Sequence, residues 1–224
     1  MMKIIGIMGA AGTLIATAAA SADVSGIEID LVGDMGYGST YRMYAVVGDG
    51  ERIDAVFGNS VGPMSIGTAD GMSFYQNSLG GPTSTSINSG FFPLAPSLEW
   101  DSYVTIGALY ANGSPFAENK LLDIGIDWAS FEGGGSIDSD NGSWFVTPAD
   151  AQGGEQGGRV LIGQFTVVGG SGNGYADLVG AVSLQGKDAD GVTFQNLSMG
   201  WEIPAPGALA LLGVAGLAGR RRRR

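Results

Sequence analysis

The sequence contains no cysteine and no histidine among its 224 residues. Without cysteine the protein has no disulfide bonds, so burial of apolar side chains must stabilise it, which a chain of this length can achieve. Without histidine it lacks Ser-His-Asp and Cys-His nucleophile systems, histidine-ligated zinc and the usual general base near neutral pH. No other catalytic motif is present, and we therefore expect a protein that is not an enzyme and that needs no cofactor.

Positive charge is also scarce. The chain has 11 Lys and Arg against 22 Asp and Glu. Six of the 11 cations lie near the two ends, whereas all 22 acids lie between residues 23 and 202, which leaves five cations and a formal charge of −17 for the central part. Such a surface repels phosphate backbones and excludes the usual form of nucleic-acid binding. It keeps a protein soluble or attracts divalent cations. The five central cations are Arg42, Arg52, Lys120, Arg159 and Lys187.

Residues 1–22 have the pattern of a secretory signal peptide. A single basic residue, Lys3, precedes an apolar stretch over residues 4–19, and Ala20-Ser21-Ala22 forms a small-x-small cleavage site. The alternative is a buried N-terminal helix, which the change to acidic, strand-like sequence at Asp23 disfavours. We predict that the mature protein begins at Asp23.

The C-terminal segment, residues 204–224, has three parts in a fixed order. Pro204 and Pro206 end the preceding structure, residues 207–219 are all Ala, Leu, Val or Gly, and five arginines follow. Thirteen helical residues span about 20 Å, against roughly 30 Å for a hydrocarbon core. The arginines favour the cytoplasmic side, so the segment is a marginal stop-transfer element or a short membrane anchor. These arginines are Arg220, Arg221, Arg222, Arg223 and Arg224.

The two ends together resemble the PEP-CTERM class of exported bacterial proteins. Here Ala205 stands between Pro204 and Pro206 where that class usually has Glu. The resemblance implies export by the secretion machinery and cleavage near the motif by an exosortase-type protease. It also implies a location in the cell envelope or outside the cell, with membrane contact through the tail before processing. Residues 123–134 and 142–152 are similar to uncharacterised exported bacterial proteins, which implies no activity.

The pattern of the central region, residues 23–203, has a period of two. Apolar and acidic residues alternate over residues 27–31 and again over 122–128, which is typical of half-buried strands. Gly- and Asn-rich turns separate the candidate strands, and a single helical turn is indicated over residues 147–152. The sequence therefore predicts an all-β domain, either a two-sheet antiparallel sandwich or a jelly roll. The other predicted strands are 40–47, 52–57, 72–76, 102–110, 143–146, 160–168, 176–184 and 192–197.

Two acidic segments resemble fragments of calcium loops. Asp138 and Asp140 precede Gly142, and Asp188 and Asp190 precede Gly191, so each turn could aim several oxygens at one cation. Neither segment completes the twelve-residue calcium-loop pattern, and a hairpin turn is the favoured interpretation of both. Calcium remains the one cofactor that the sequence leaves open.

Indole rings also occur beside carboxylates, a composition found in sugar-binding and glycosidase clefts. Strand phase places Trp128 with Ile124 and Ile126, and Trp100 with Val104 and Ile106, so both indoles are predicted to lie in the core. Trp144 and Phe145 point to opposite faces, which leaves one of them as a candidate for sugar stacking. A glycosidase would draw its carboxylate pair from Glu99, Asp101, Asp123, Asp127 and Glu132.

Two functions remain open from the sequence. The first is a non-enzymatic component of the cell envelope or extracellular space, with a structural, matrix or polysaccharide-associated role. The alternative is a secreted carbohydrate-active protein, either a binding module or a carboxylate-based glycosidase.

Processing at both ends can be tested by intact-mass spectrometry of the protein recovered from the envelope and from the medium. We expect a species that begins at Asp23 and ends near Pro206, because both terminal segments carry the features of removable signals. A mature species that retains Arg220 to Arg224 would contradict cleavage of the tail and leave an anchor.

Overall fold

The computed structural model describes residues 24–201. The predicted signal peptide with Ala20 and Ala22, and the predicted tail with Pro204, Pro206 and Arg220 to Arg224, lie outside the described residues. Within residues 24–201 no helix is long and apolar enough to cross a membrane.

The described chain forms two antiparallel sheets that pack face to face, which confirms the predicted all-β sandwich. Helical structure is limited to α1 (Ala129–Glu132), α2 (Gly174–Asp177) and four 3₁₀ turns. The strands in chain order are β1 (Gly26–Asp34), β2 (Ser39–Val46), β3 (Arg52–Gly58), β4 (Met64–Thr68), β5 (Ser73–Phe74), β6 (Tyr103–Val104), β7 (Leu122–Ile124), β8 (Ile137–Ser139), β9 (Gly142–Phe145), β10 (Arg159–Val168), β11 (Leu178–Lys187) and β12 (Thr193–Gly200).

The front sheet has the order β1, β2, β10, with β6 and β5 paired one after the other along the far side of β10. On β2 the side chains alternate: Tyr41, Met43 and Ala45 are buried against the back sheet, and Arg42 and Tyr44 point to the outer face. The outer face of this sheet carries a groove lined in part by Arg42 and Tyr44.

The back sheet is built around β11, with β12 on one side. On the other side β3 and β4 pair with successive parts of β11, and β9 and β8 continue the sheet in the same tandem arrangement. β7 pairs with β9 at the edge. The chain between β8 and β9 therefore continues along the sheet and does not reverse. The hairpin turn predicted for residues 138–142 is wrong.

One large apolar core fills the space between the sheets. Phe74, Phe131 and Phe165 form an aromatic cluster in it, with ring centroids 5.3 to 6.3 Å apart. Trp144 is fully buried, and its Nε1 donates a hydrogen bond to the Thr105 carbonyl at 3.0 Å. The indole therefore joins the core to the segment that covers the front sheet.

The segment between β5 and β7 is mostly irregular and packs on the outer face of the front sheet. It has a small core of its own, made by Ile87, Leu98 and Tyr103. Two buried amides bind its backbone: Gln164 Nε2 donates to the carbonyls of Glu99 and Asp101, at 2.9 and 3.2 Å, and Gln152 Nε2 donates to the Ile106 carbonyl at 2.8 Å. We call residues 75–121 the covering segment.

Two predicted strands are shorter than their sequence pattern indicates. The strand predicted over 102–110 is limited to β6, because Gly107 turns the chain with φ of 69°. The strand predicted over 122–128 ends at Ile124, because Gly125 turns it with φ of 70°, and Ile124 is 67% exposed. The short strands β4 and β8 were not predicted, and the helical turn predicted over 147–152 is a 3₁₀ turn at Ala151–Gly153.

The opposite faces of Trp144 and Phe145 give a stability test. Replacing Trp144 by Ala should lower the free energy of unfolding by about 3–5 kcal/mol, because it removes a buried ring and a hydrogen bond. Phe145→Ala, on the half-buried outer face of the same strand, should cost about 1 kcal/mol or less. Urea unfolding measures both values, and equal losses would contradict the described orientation of β9.

Candidate functional site

A groove lies on the outer face of the front sheet. Its floor is formed by Arg42 and Tyr44 of β2 and by Arg159 and Leu161 of β10. The strand register places Leu161 directly opposite Tyr44, and both belong to the set of residues that points away from the core. The alternation that builds the sandwich therefore also projects these side chains to the outside.

The walls of the groove come from two irregular parts of the chain. Leu109 and Pro115 of the covering segment form one wall, and Gly154 and Gln156, before β10, form the other. The groove is open to solvent, and its cavity has a volume of about 220 Å³. This space can hold several waters or one small ring-shaped ligand.

Arg159 and Tyr44 form a stacked pair on the groove floor. The Arg159 Cζ lies 4.0 Å from the centroid of the Tyr44 ring, which is cation–π geometry. Arg159 Nη1 also contacts Asp30 Oδ2 at 2.7 Å and Glu28 Oε2 at 3.3 Å on β1, which lies on the far side of β2. These two carboxylates fix the guanidinium, and because they carry two negative charges against its one positive charge, the group has a formal charge of −1. The stacked pair of Arg159 and Tyr44 presents a flat surface to the groove.

Arg42 is the other cation of the groove, and its contacts are different. Its Nε donates to Gln164 Oε1 at 3.2 Å, and among residues 24–201 no carboxylate lies within 4 Å of its guanidinium. Burial raises the pKa of Tyr110, and the positive charge of Arg42 opposes that rise, whereas Glu99 adds to it. Arg42 therefore lies close to the Tyr110 hydroxyl and keeps a charge that no carboxylate contacts.

The carboxylates predicted for a glycosidase do not line this groove. Asp101 is fully buried, and its Oδ1 accepts the N–H groups of Asn77 at 2.7 Å and of Ser102 at 3.0 Å. Its Oδ2 is also buried and lies against the backbone of Gly80 and Gly81. Burial raises the pKa of Asp101 to about 7, against the lowering effect of these N–H donors and with a smaller rise from the charge of Glu132. Asp101 therefore links Asn77 to Ser102 within the covering segment.

The other predicted acids are dispersed or engaged locally. Asp123 accepts a hydrogen bond from Trp128 Nε1 at 3.0 Å, and Asp127 accepts the backbone N–H of Ala129 at 3.0 Å. Trp128 is half-buried and packs against the core, as predicted. It lies at the start of α1, however, and not on the strand from which its position was predicted. Trp100, also predicted to lie in the core, is half-buried at the end of a 3₁₀ turn. Glu99 is half-buried in that turn, and Glu132 is exposed at the end of α1.

The four aspartates considered for calcium lie in two separate places. Asp188 begins the turn between β11 and β12, and its Oδ1 accepts the N–H groups of Asp190 at 3.0 Å and Val192 at 2.7 Å, as a hairpin turn requires. Asp138 lies on β8 and accepts a short hydrogen bond from Ser136, and Asp140 is exposed in the following bend. Within residues 24–201 no group of three or more Asp or Glu side chains is arranged to hold a metal ion.

Two further cavities lie apart from the groove. One, of about 320 Å³, is on the outer face of the back sheet beside Phe145. The other, of about 270 Å³, is lined by Glu118, Lys120 and Asp150, in which Lys120 is paired with both acids. Of the predicted pair, Trp144 is the buried residue and Phe145 the half-exposed one, so Trp144 is not available for sugar stacking.

Sequence reasoning counted Arg42 and Arg159 among the cations but did not place them at a site, and it did not consider Tyr44. The available signal was the phase of β2, in which Arg42 and Tyr44 alternate with the apolar core positions 41, 43 and 45. Comparison of the chain with protein-family models, with curated proteins and with solved structures finds no match.

The buried Asp101 predicts a pH dependence of stability. Its pKa is raised to about 7 in the folded protein from an ordinary value of 3.8, so the folded state retains a proton that the unfolded chain releases. The contribution of this proton to the free energy of unfolding is fully present below about pH 4. It falls as the pH rises to 7, with a slope of at most about 1.4 kcal/mol per pH unit. Urea unfolding between pH 4.5 and 7.5 should show a weaker pH dependence in Asp101→Asn than in the wild type.

The exposed Asp140 provides the control for this experiment. Asp140→Asn makes the same replacement at an exposed carboxyl, and its stability should follow the wild type at every pH. Parallel curves of unfolding free energy against pH for Asp101→Asn and the wild type would refute the raised pKa of Asp101.

Proposed function

We propose that this chain is an exported, non-enzymatic component of the cell envelope or extracellular space that associates with polysaccharide through the groove on the front sheet. The export part of the proposal draws on the signal-peptide pattern of residues 1–22 and on the PEP-CTERM-like tail of residues 204–224. The observation that carries the binding part is the stacked Arg159–Tyr44 pair on the floor of a walled cavity.

The chemistry of the groove fits a sugar ring. The stacked pair, with Leu161 and Pro115 beside it, supplies flat and apolar surface for the C–H faces of a pyranose. Arg42 and Gln156 supply polar side chains around that surface, and sugar hydroxyls need such groups because they must exchange water for protein hydrogen bonds. A small cavity with mixed apolar and polar lining is suited to one residue of a longer chain.

The positions of the acids favour binding over hydrolysis. Hydrolysis of a glycosidic bond in the usual way needs two carboxyl groups on either side of that bond. The groove lining contains neither Asp101, which is buried in the covering segment, nor the acids near α1 and β7. Glu28 and Asp30 lie at its edge and are paired with Arg159.

A glycan array tests the proposal, with the protein purified in the form that cells expressing the whole sequence produce. We expect reproducible binding to at least one polysaccharide or oligosaccharide. Tyr44→Ala should weaken that binding about tenfold, because it removes the ring on which Arg159 rests and opens the floor of the groove.

Phe145→Ala is the matched control, since it removes a half-exposed aromatic ring from the outer face of the other sheet. It should leave glycan binding unchanged, and thermal melting should confirm that both variants fold. The absence of any glycan binding, or equal losses in the two variants, would overturn the proposed function.

A further inference from the structure

Arg42 brings to the groove a positive charge that no carboxylate contacts among residues 24–201. Three of the other central cations contact carboxylates: Arg52 is paired with Asp54, and Lys120 and Arg159 are each paired with two acids. Lys187 is half-buried and donates to Gly191 O and Thr193 Oγ1 at a surface turn. Arg42 is therefore the one of the five central cations that combines a place in a cavity with the lack of any carboxylate within 4 Å among the described residues.

The orientation of Arg42 is fixed before any ligand arrives. Gln164 is buried, and its Nε2 is held by the backbone carbonyls of Glu99 and Asp101. Because two carbonyl acceptors require the NH₂ end of the amide, the oxygen end must point to Arg42 and accept its Nε–H. A guanidinium held in this way loses little side-chain entropy when it binds an anion.

Neighbouring acids do not neutralise Arg42. Asp30 pairs with Arg42 in the strand register, but its carboxylate contacts Arg159 Nη1 at 2.7 Å. Glu99 is near enough to influence Tyr110 and yet lies beyond 4 Å from Arg42. In a region with 22 acids and five cations, an arginine left without a carboxylate at a cavity marks a place where an external anion fits.

We infer that the groove selects a carboxylate-bearing sugar, a uronic acid residue of an acidic polysaccharide, and that Arg42 binds its carboxylate while the Arg159–Tyr44 pair supports its ring. This inference rests on the proposed function and names the class of its ligand. A carboxylate suits the guanidinium because two parallel N–H···O bonds can form. The strongly acidic surface acts against it at long range, so the selectivity arises inside the groove, where the interaction is least screened.

The test uses two ligands that differ only in the carboxyl group. Calorimetry at 0.15 M salt measures the binding of a tetragalacturonate and of its carboxyl-reduced, neutral counterpart. The protein is used in the form that cells expressing the whole sequence produce. We expect the wild type to bind the acidic form at least tenfold more tightly than the neutral one. Oligoglutamate of the same charge, which offers carboxylates without sugar rings, should bind at least tenfold more weakly than the acidic sugar.

Arg42→Gln should abolish the preference for the acidic sugar, so that the affinities for the acidic and the neutral form come within about twofold of each other. Arg42→Lys should restore part of the preference, because it keeps the charge but not the planar pair of donors. Lys187→Gln is the matched control, since it changes the net charge equally at an exposed turn of the other sheet, and it should retain the full preference.

The outcomes separate the inference from the proposed function. Equal affinity of the wild type for both sugars would by itself overturn the acidic selectivity. It would not contradict polysaccharide binding. Binding of neither sugar, with no binding on the array, would overturn both. Equal binding of oligoglutamate would overturn selection of a sugar, and an unchanged preference in Arg42→Gln would overturn the role of Arg42.

Discussion

Hydrogen bonds from a few buried side chains to the backbone of the covering segment are the constraint on which the rest of this structure depends. Residues 75–121 contain little regular structure, so their buried carbonyls need donors from elsewhere in the chain. The indole of Trp144 and the amides of Gln152 and Gln164 supply them, at Thr105, Ile106, Glu99 and Asp101. Because these donors come from around β9 and β10, the covering segment is fixed to both sheets.

The same bonds shape the groove. They hold residues 99–106 against β10, where Ser102 also bonds to Thr166, and they leave the outer face around Arg42 and Tyr44 as the floor of the groove. Gln164 takes part in both tasks, because one end of its amide binds the covering segment and the other end positions Arg42. The geometry of the site is therefore a consequence of how an irregular segment satisfies its backbone.

The sequence predicts the sandwich well and the site poorly, and the reason lies in the range of the interactions. The candidate strands 40–47, 160–168 and 176–184 come from local patterns, and β2, β10 and β11 begin and end within three residues of them, although β10 is buried on both faces. The end of the strand at Ile124 depends on Gly125, whose Cβ-free backbone lies against the Asn141 carbonyl from a distant part of the chain. Likewise, Arg42 and Arg159 are 117 positions apart and meet only through the register of β2 with β10. The terminal segments were read from local patterns alone and lie outside the described residues.

The central region carries a large negative charge, whereas Arg42 places in the groove a positive charge that no carboxylate contacts, and this difference affects how the protein would meet an acidic polymer. At low salt the Debye length is long, about 30 Å at 0.01 M, so that the many surface acids repel a polyanion before it reaches Arg42. At physiological salt the length falls to about 8 Å, and the groove is then governed by its own contacts. In the proposed binding mode the attraction is confined to one guanidinium and a stacked pair, so it would select a particular sugar residue and would not attract anionic polymers in general. A surface with dispersed cations would bind many polyanions, whereas this arrangement favours the few that place a carboxylate and a ring together in the groove.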